Sequence, residues 1–153
     1  ACMVAKPLGL GTYTQKEMAS LLGTTTSGTS GAQICNTLNS LLSKTSDTRR
    51  FQRVTISTAA LETSVRSSLR NDFPLTLNVK EMPNYTSGSG HFIAVKGYYF
   101  NTSTDFKTIT ICDPHPTYSG TYTYTLEEME TAVESSNGYY NRLDSPVATP
   151  SAR

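Results

Sequence analysis

The chain has 153 residues, which is enough for one compact core and too few for two ordinary domains. Its 13 lysine and arginine residues nearly balance 12 aspartate and glutamate residues, so the net charge is +1 and no nucleic-acid partner is expected. No apolar run approaches the roughly 20 residues that a membrane-spanning helix needs. Only 16% of the residues are charged, and nine are tyrosine, a profile typical of bacterial proteins that are secreted or held at the cell surface.

The first half of the sequence predicts helices. Apolar residues at helical spacing indicate four of them, over residues 1–8, 15–22, 31–43 and 59–70. Ahead of the second helix, Thr14 is a predicted N-cap and Glu17 completes a capping box, while Gly23 ends the same helix. The loop that follows is rich in threonine, serine and glycine.

After residue 70, β-branched and aromatic residues alternate with glycine, proline and asparagine turns, which indicates strands. The predicted strands cover residues 74–79, 91–100, 107–113 and 121–125. A fifth helix is predicted from Leu126, with Thr125 and Glu128 as its capping box. Helices followed by an antiparallel sheet predict an α+β fold, formed by one domain over residues 1–143 and a loosely ordered tail over residues 144–153.

Cysteine and histidine are too scattered to predict a metal site. A structural zinc ion needs four clustered ligands, whereas the chain has three separate cysteines, no CxxC pair and two histidines. We therefore expect no metal and no other cofactor. Cys35 and Cys112 each lie inside an apolar pattern and are predicted to be buried as small apolar residues.

The most informative part of the sequence is the pair of strands that carries His91 and Asp113. If these strands form a hairpin centred near Thr102, the two residues lie directly opposite each other, with Cβ atoms about 4.5–5.5 Å apart. A slip of one residue would move them to opposite faces. A carboxylate at that distance fixes the tautomer and orientation of the imidazole and leaves the other ring nitrogen free to act as a base.

A plainer interpretation of the same residues stays open. Residues 86–90 are predicted to be flexible, which would place His91 at the rim of the sheet where a cleft can open. In the plainer interpretation, His91 is a strand-end histidine satisfied by a turn, and Asp113 only starts an Asp-Pro turn. His115 is the competing histidine, but its position between Pro114 and Pro116 predicts a turn.

Residues 90–98 (Gly-His-Phe-Ile-Ala-Val-Lys-Gly-Tyr) and 111–114 (Ile-Cys-Asp-Pro) resemble the second half of papain-fold cysteine peptidases. In particular, they resemble domains similar to bacteriocin double-glycine leader peptidases. The resemblance runs in the right order from about residue 1 to residue 140, and it includes the helix end at 3–9. It implies a papain-like fold in which the N-terminal helices pack on the C-terminal sheet, and a peptide or protein substrate. It also implies that His91 is the catalytic histidine and that Asp113 orients it.

The chain departs from that family at one place. Members carry a Gln followed by Cys-Gly-Pro at the start of the first helix, where the Cys is the nucleophile and the Gln helps to stabilise the oxyanion. Neither is present here, and the match at residues 3–9 would put the nucleophile a few residues before Ala1. Three explanations stay open: the chain is a truncated or processed piece, it is an inactive relative, or Cys2 has taken over the role.

Cys2 itself has two interpretations. The start of a helical segment favours a thiolate, which is what a nucleophile needs. The apolar residues 3–5 that follow favour packing instead. The leading hypothesis is therefore a monomeric cysteine peptidase domain that uses His91 and Asp113 with Cys2 or an upstream thiol. The alternative is an inactive papain-like domain that binds peptides in its cleft.

Overall fold

The computed structural model describes residues 1–57 and 59–144. Within them are five helices: α1 (Cys2–Ala5), α2 (Gln15–Leu22), α3 (Gly31–Leu42), α4 (Leu61–Arg70) and α5 (Leu126–Glu134). The six strands are β1 (Arg50–Thr55), β2 (Leu75–Met82), β3 (Tyr85–Asn101), β4 (Phe106–Asp113), β5 (Gly120–Thr125) and β6 (Tyr139–Asp144). The predicted α+β class is confirmed, and all five predicted helices and four predicted strands have counterparts.

The strands form one antiparallel sheet in the order β1-β6-β2-β3-β4-β5. The sequence analysis missed β1 and β6, which pair with each other, and β6 also pairs with β2. Both strands are rich in polar residues, so their apolar signal is short. In β6 it consists mainly of the buried Tyr140 and Leu143.

Three of the helices begin with a complete capping box. Thr14 and Glu17 cap α2, and Thr125 and Glu128 cap α5, as predicted. Ser30 and Gln33 cap α3 in the same way, although the sequence analysis did not identify that pair. Each box satisfies amide groups that the first helical turn leaves free, so the starts of these helices are fixed locally.

Two apolar clusters lie on opposite faces of the sheet. The first packs α4 and α5 against the buried side chains of β2, β3 and β4, such as Leu77, Ile93 and Ile111. The second joins α1, α2 and α3 to the other face through Phe51 of β1 and Leu143 of β6. The N-terminal helices therefore rest on the C-terminal sheet, and a cleft opens between the two parts.

The segment over residues 86–90 is part of β3, so the prediction that it forms a flexible loop is wrong. Gly90 has a φ of +90°, which favours glycine, and a Cβ atom at this position would lie 3.0 Å from Oγ of Ser136. At Gly90, β3 therefore passes close to the turn that follows α5. His91 is the next residue of β3.

The last described element is β6, which includes residue 144, the first residue of the predicted tail. The rest of the predicted tail, residues 145–153, lies outside the described residues. Among the residues described, no helix combines the length and apolar character that a membrane crossing would require.

Candidate active site

His91 and Asp113 form a direct hydrogen bond. The distance between Nε2 of His91 and Oδ1 of Asp113 is 2.7 Å. Because a carboxylate can only accept, Nε2 carries the proton and Nδ1 is the free ring nitrogen. The juxtaposition that the sequence predicted is therefore present.

The register that produces this contact differs from the predicted one. Ala94 pairs with Cys112, so Asp113 lies next to Ile93 across the strands, and His91 is two residues farther along the same face. The prediction that His91 and Asp113 are directly opposite is wrong, and the contact is diagonal. The pairing of β3 with β4 has a bulge at Lys96, an extra residue between Val95 and Gly97. Without this residue, the register would place His91 and Asp113 on opposite faces of the sheet.

Asp113 is buried and accepts hydrogen bonds from three groups. Its side chain is only 1% exposed. Oδ1 accepts from Nε2 of His91 and from the backbone N–H of His115 at 2.8 Å, and Oδ2 accepts from the hydroxyl of Tyr85 at 2.6 Å. Three donors offset the cost of removing a carboxylate from water. The contacts also fix the direction in which the carboxylate faces His91.

An aromatic cluster encloses the Asp113 side of this pair. The ring of Tyr85 stacks on that of Tyr118 with centroids 4.8 Å apart, and it also lies 4.8 Å from the ring of His115. Burial, and then the hydrogen bond to Asp113, raise the pKa of Tyr85 far above the usual range. The Tyr85 hydroxyl therefore stays protonated and remains a donor.

His115 lies in a turn, as predicted. Its Nδ1 accepts the backbone N–H groups of Thr117 and Tyr118 at 3.2 and 3.3 Å. Its ring is 5.4 Å from that of His91, but it contributes its backbone amide to Asp113 rather than its imidazole. The ring of His115 is thus part of the enclosure around the pair.

His91 faces an open cleft with a volume of about 690 Å³. The cleft lies between the sheet and the N-terminal helices, and Ala1, Pro114 and the segment 27–31 line it together with His91. The side chain of His91 is 17% exposed, in contrast to that of Asp113. The arrangement can hold a protonated Nε2 in place while Nδ1 exchanges a proton with a group in the cleft.

The structure does not bring Cys2 to this pair. Its thiol lies 3.9 Å from the carbonyl oxygen of Thr14, and within residues 1–57 and 59–144 it makes no hydrogen bond to His91. Cys2 lines a smaller pocket of about 290 Å³ beside the cleft, together with Phe92 and Pro114, which line both spaces.

The other two cysteines differ from each other. Cys35 is buried, as predicted, and its thiol donates to the carbonyl oxygen of Phe51 at 3.1 Å. Cys112 is only partly buried, so the burial prediction is wrong for this residue. In the described part of the chain, no group of three or more Cys, His, Asp or Glu side chains is arranged to hold a metal ion.

Sequence reasoning missed Tyr85 as a member of the site. Tyr85 lies six residues before His91 on β3, but the register of β3 against β2 shifts between them, so regular strand alternation does not predict that they lie close together. The glycines at 88 and 90 also indicated a loop, so the sequence analysis did not place Tyr85 near His91.

The chain was compared with known proteins. A solved structure with a TM-score of 0.61 is the peptidase domain of Streptococcus ComA, described as a bi-functional ABC transporter involved in a quorum-sensing pathway. The two chains are 20% identical, and the match covers 95% of this chain and 87% of that one. At this identity the likeness shows the fold, and it confirms the papain-like α+β architecture. A search of curated proteins found no match.

A family model provides the sequence-level evidence. The model of the Peptidase_C39 like family matches residues 2–145, which is nearly the whole chain. The matched range contains both strands of the His91–Asp113 pair and the helices across the cleft from them. The resemblance to double-glycine leader peptidase domains is thereby confirmed, and the chain belongs to the Peptidase_C39 like family.

Proposed function

We propose that this cysteine peptidase-like domain hydrolyses peptide bonds by thiolate attack, with His91 as the proton-transfer residue and Asp113 as the residue that orients it. The observation that carries the proposal is the buried, three-donor Asp113 bonded to Nε2 of a histidine at the edge of an open cleft. A carboxylate held in this way stabilises the imidazolium that forms when Nδ1 takes up a proton.

The chemistry follows from the free nitrogen of His91. Nδ1 takes the proton from a thiol, and the resulting thiolate attacks the carbonyl carbon of the scissile bond. Nδ1–H then gives its proton to the leaving amine as the C–N bond breaks, and an acyl-thioester remains. Water attacks the thioester after losing a proton to Nδ1, and the thiol recovers that proton when the acid product leaves.

The thiol has two candidate sources. The first is a cysteine a few residues ahead of Ala1, and it is supported by the position of Ala1 in the lining of the cleft that His91 faces. Cys2 is the second candidate, and it requires the α1 segment to turn its thiol away from the carbonyl of Thr14. We place the upstream cysteine first because the thiol of Cys2 contacts the carbonyl of Thr14 and does not contact His91.

An inactive peptide-binding domain is the second candidate function. The contact between the Cys2 thiol and the carbonyl of Thr14 favours it, because that thiol is engaged away from His91. In this case the cleft and the His91–Asp113 pair are retained for binding, and the pair transfers no proton.

The test is the pH dependence of thiol alkylation. The chain would be prepared alone and with the residues its gene encodes ahead of Ala1, and iodoacetamide modification of each cysteine would be followed by mass spectrometry. We expect one thiol to react rapidly near neutral pH, and we expect His91→Ala to move that reactivity towards pH 8–9, where an ordinary cysteine ionises. His115→Phe is the matched control, because it removes the second imidazole, keeps a ring beside Tyr85 and keeps the backbone hydrogen bond from residue 115 to Asp113.

Hydrolysis of a peptide library by the same preparations separates the two functions. Cleavage that depends on both His91 and the reactive thiol supports the peptidase. Binding of peptides without cleavage, with no thiol whose ionisation depends on His91, supports the inactive domain and contradicts the proposed chemistry.

A further inference from the structure

A single arginine lines the cleft that His91 faces. Arg53 belongs to β1 and lies close to Gly31, which also approaches Phe92. A Cβ atom built on Gly31 would lie 3.6 Å from Nε of Arg53 and 3.6 Å from the ring of Phe92, the residue next to His91. The guanidinium group and the His91–Asp113 pair therefore belong to one binding space.

The positive charge of Arg53 is not neutralised. Among the described residues that line the cleft, Arg53 is the only lysine or arginine, and none is aspartate or glutamate. Within the described ranges, the guanidinium has no ion pair and no hydrogen-bond partner. In contrast, the guanidinium groups of Arg49, Arg66 and Arg142 each form an ion pair with a carboxylate.

Arg53 is nevertheless held in place. Its guanidinium carbon lies 3.7 Å from the centroid of the Tyr139 ring. A cation–π contact of this kind uses the flat face of the guanidinium and leaves its N–H groups at the edge free. The arginine is thus both positioned and available to a ligand.

Several neutral polar groups around the cleft form hydrogen bonds within the protein. Ser30 and Gln33 bond to each other's backbone in the capping box of α3, and Thr24 and Thr29 share a hydrogen bond of 2.6 Å. The amide nitrogen of Asn78 donates to the carbonyl oxygen of Ser136. Among the described residues that line the cleft, Arg53 is thus the side chain that offers a peptide a permanent positive charge.

We propose that Arg53 selects peptides by binding a carboxylate in the cleft, so that the substrate or bound peptide carries a negative charge at a fixed distance from the site of attack. This inference rests on the proposed function, which makes the cleft the peptide-binding site. The carboxylate comes from an Asp or Glu side chain or from the free C-terminus of a peptide. In both cases the planar guanidinium edge matches a carboxylate with two parallel hydrogen bonds.

The experiment measures peptide binding, with cleavage measured separately. N-acetylated hexapeptides would carry Glu or Gln in turn at each position, each prepared with a free carboxylate and with an amidated C-terminus, and dissociation constants would be determined by calorimetry. The chain would carry His91→Ala so that bound peptides stay intact. We expect at least one Glu peptide, or the free-carboxylate forms as a class, to bind about tenfold or more tightly than the neutral counterpart.

Substitutions at two positions of β1 isolate the effect of the charge. Arg53→Gln removes the charge and is expected to abolish the preference, whereas Arg53→Glu should favour a Lys peptide. Arg50→Gln is the matched control, because Arg50 lies on β1, is exposed and is not among the residues that line the cleft. Loss of the preference on a Glu-to-Gln change identifies a side-chain carboxylate, and loss on amidation identifies a C-terminal one.

Three results would overturn the inference: equal binding of charged and neutral peptides, a preference that persists in Arg53→Gln, or no peptide binding at all. The first two leave the proposed function intact if the unsubstituted chain still cleaves or binds peptides. The absence of both binding and cleavage removes the proposed function as well, so the two failures are distinguishable.

Discussion

Replacing Tyr85 with phenylalanine removes one hydrogen bond from the candidate active site and little else. The ring stays in place against Tyr118 and His115, so no cavity forms. What is lost is the 2.6 Å bond to Oδ2 of the buried Asp113. A hydrogen bond to a charged group contributes about 1.5–3 kcal/mol, and an acceptor left without a partner inside the protein retains its full desolvation cost. We therefore expect the free energy of unfolding to fall by about 1.5–3 kcal/mol.

Urea unfolding followed by circular dichroism measures this change. Tyr99→Phe is the matched control, because Tyr99 is 57% exposed and its hydroxyl accepts only one long bond, of 3.4 Å, from Asn101. The control is expected to change stability by less than about 0.5 kcal/mol. A loss in Tyr85→Phe as small as that of Tyr99→Phe would refute the argument that Asp113 depends on the tyrosine hydroxyl.

The effect of Tyr85 also has a predicted pH dependence. The pKa of Tyr85 is raised by burial and by Asp113, so the folded chain keeps the phenol protonated where an unfolded tyrosine, with a pKa of 10.0, ionises. The stabilisation is fully present below pH 10.0 and is lost as the pH rises above it. The stability difference between the unsubstituted chain and Tyr85→Phe should accordingly shrink above pH 10.0.

Three further predictions concern the framework around the site. Gly90→Ala should destabilise the fold by roughly 1–3 kcal/mol in urea unfolding, because φ is +90° and the new Cβ would lie 3.0 Å from Oγ of Ser136. Gly88→Ala, with no atom within 4 Å of the new Cβ, is its control, and an equal cost at both positions would contradict the reasoning. Burial raises the pKa of Cys35, so its alkylation should begin at higher pH than that of the other two thiols in mass-spectrometric assays; earlier modification would contradict the buried position. Thr125→Ala should lower stability by about 1 kcal/mol through loss of the α5 cap, and a neutral result in thermal unfolding would show that the cap is not needed.

The sequence predicted those features that are determined by local chemistry. Helix periodicity and capping boxes depend on residues three or four positions apart, and the boxes at Thr14 and Thr125 were identified correctly. The pair of His91 and Asp113 was also identified, because β-branched strands and a short connection favour a hairpin. The motifs around both residues also carried the family resemblance, and the family model matches residues 2–145.

The features that depend on tertiary packing were missed. A bulge at Lys96 changes the register of β3 against β4, and no local signal distinguishes it from regular pairing. The polar strands β1 and β6 are stabilised by pairing with each other and by a few buried side chains, so they lack a long apolar pattern. Gly90, which indicated a loop, instead allows a strand to pass close to Ser136.

The central claim is that Asp113 holds the imidazole of His91 with Nε2 protonated and Nδ1 free. The most direct test is a ring ¹H–¹⁵N NMR spectrum of the labelled chain, in which the two histidines are assigned with a His115→Ala sample. The structure predicts an Nε2-bound proton on His91 that is protected from exchange with water near neutral pH and that loses this protection in Asp113→Ala, which removes the accepting oxygen. A His91 ring with the same chemical shifts and the same rapid exchange in both proteins would contradict the account.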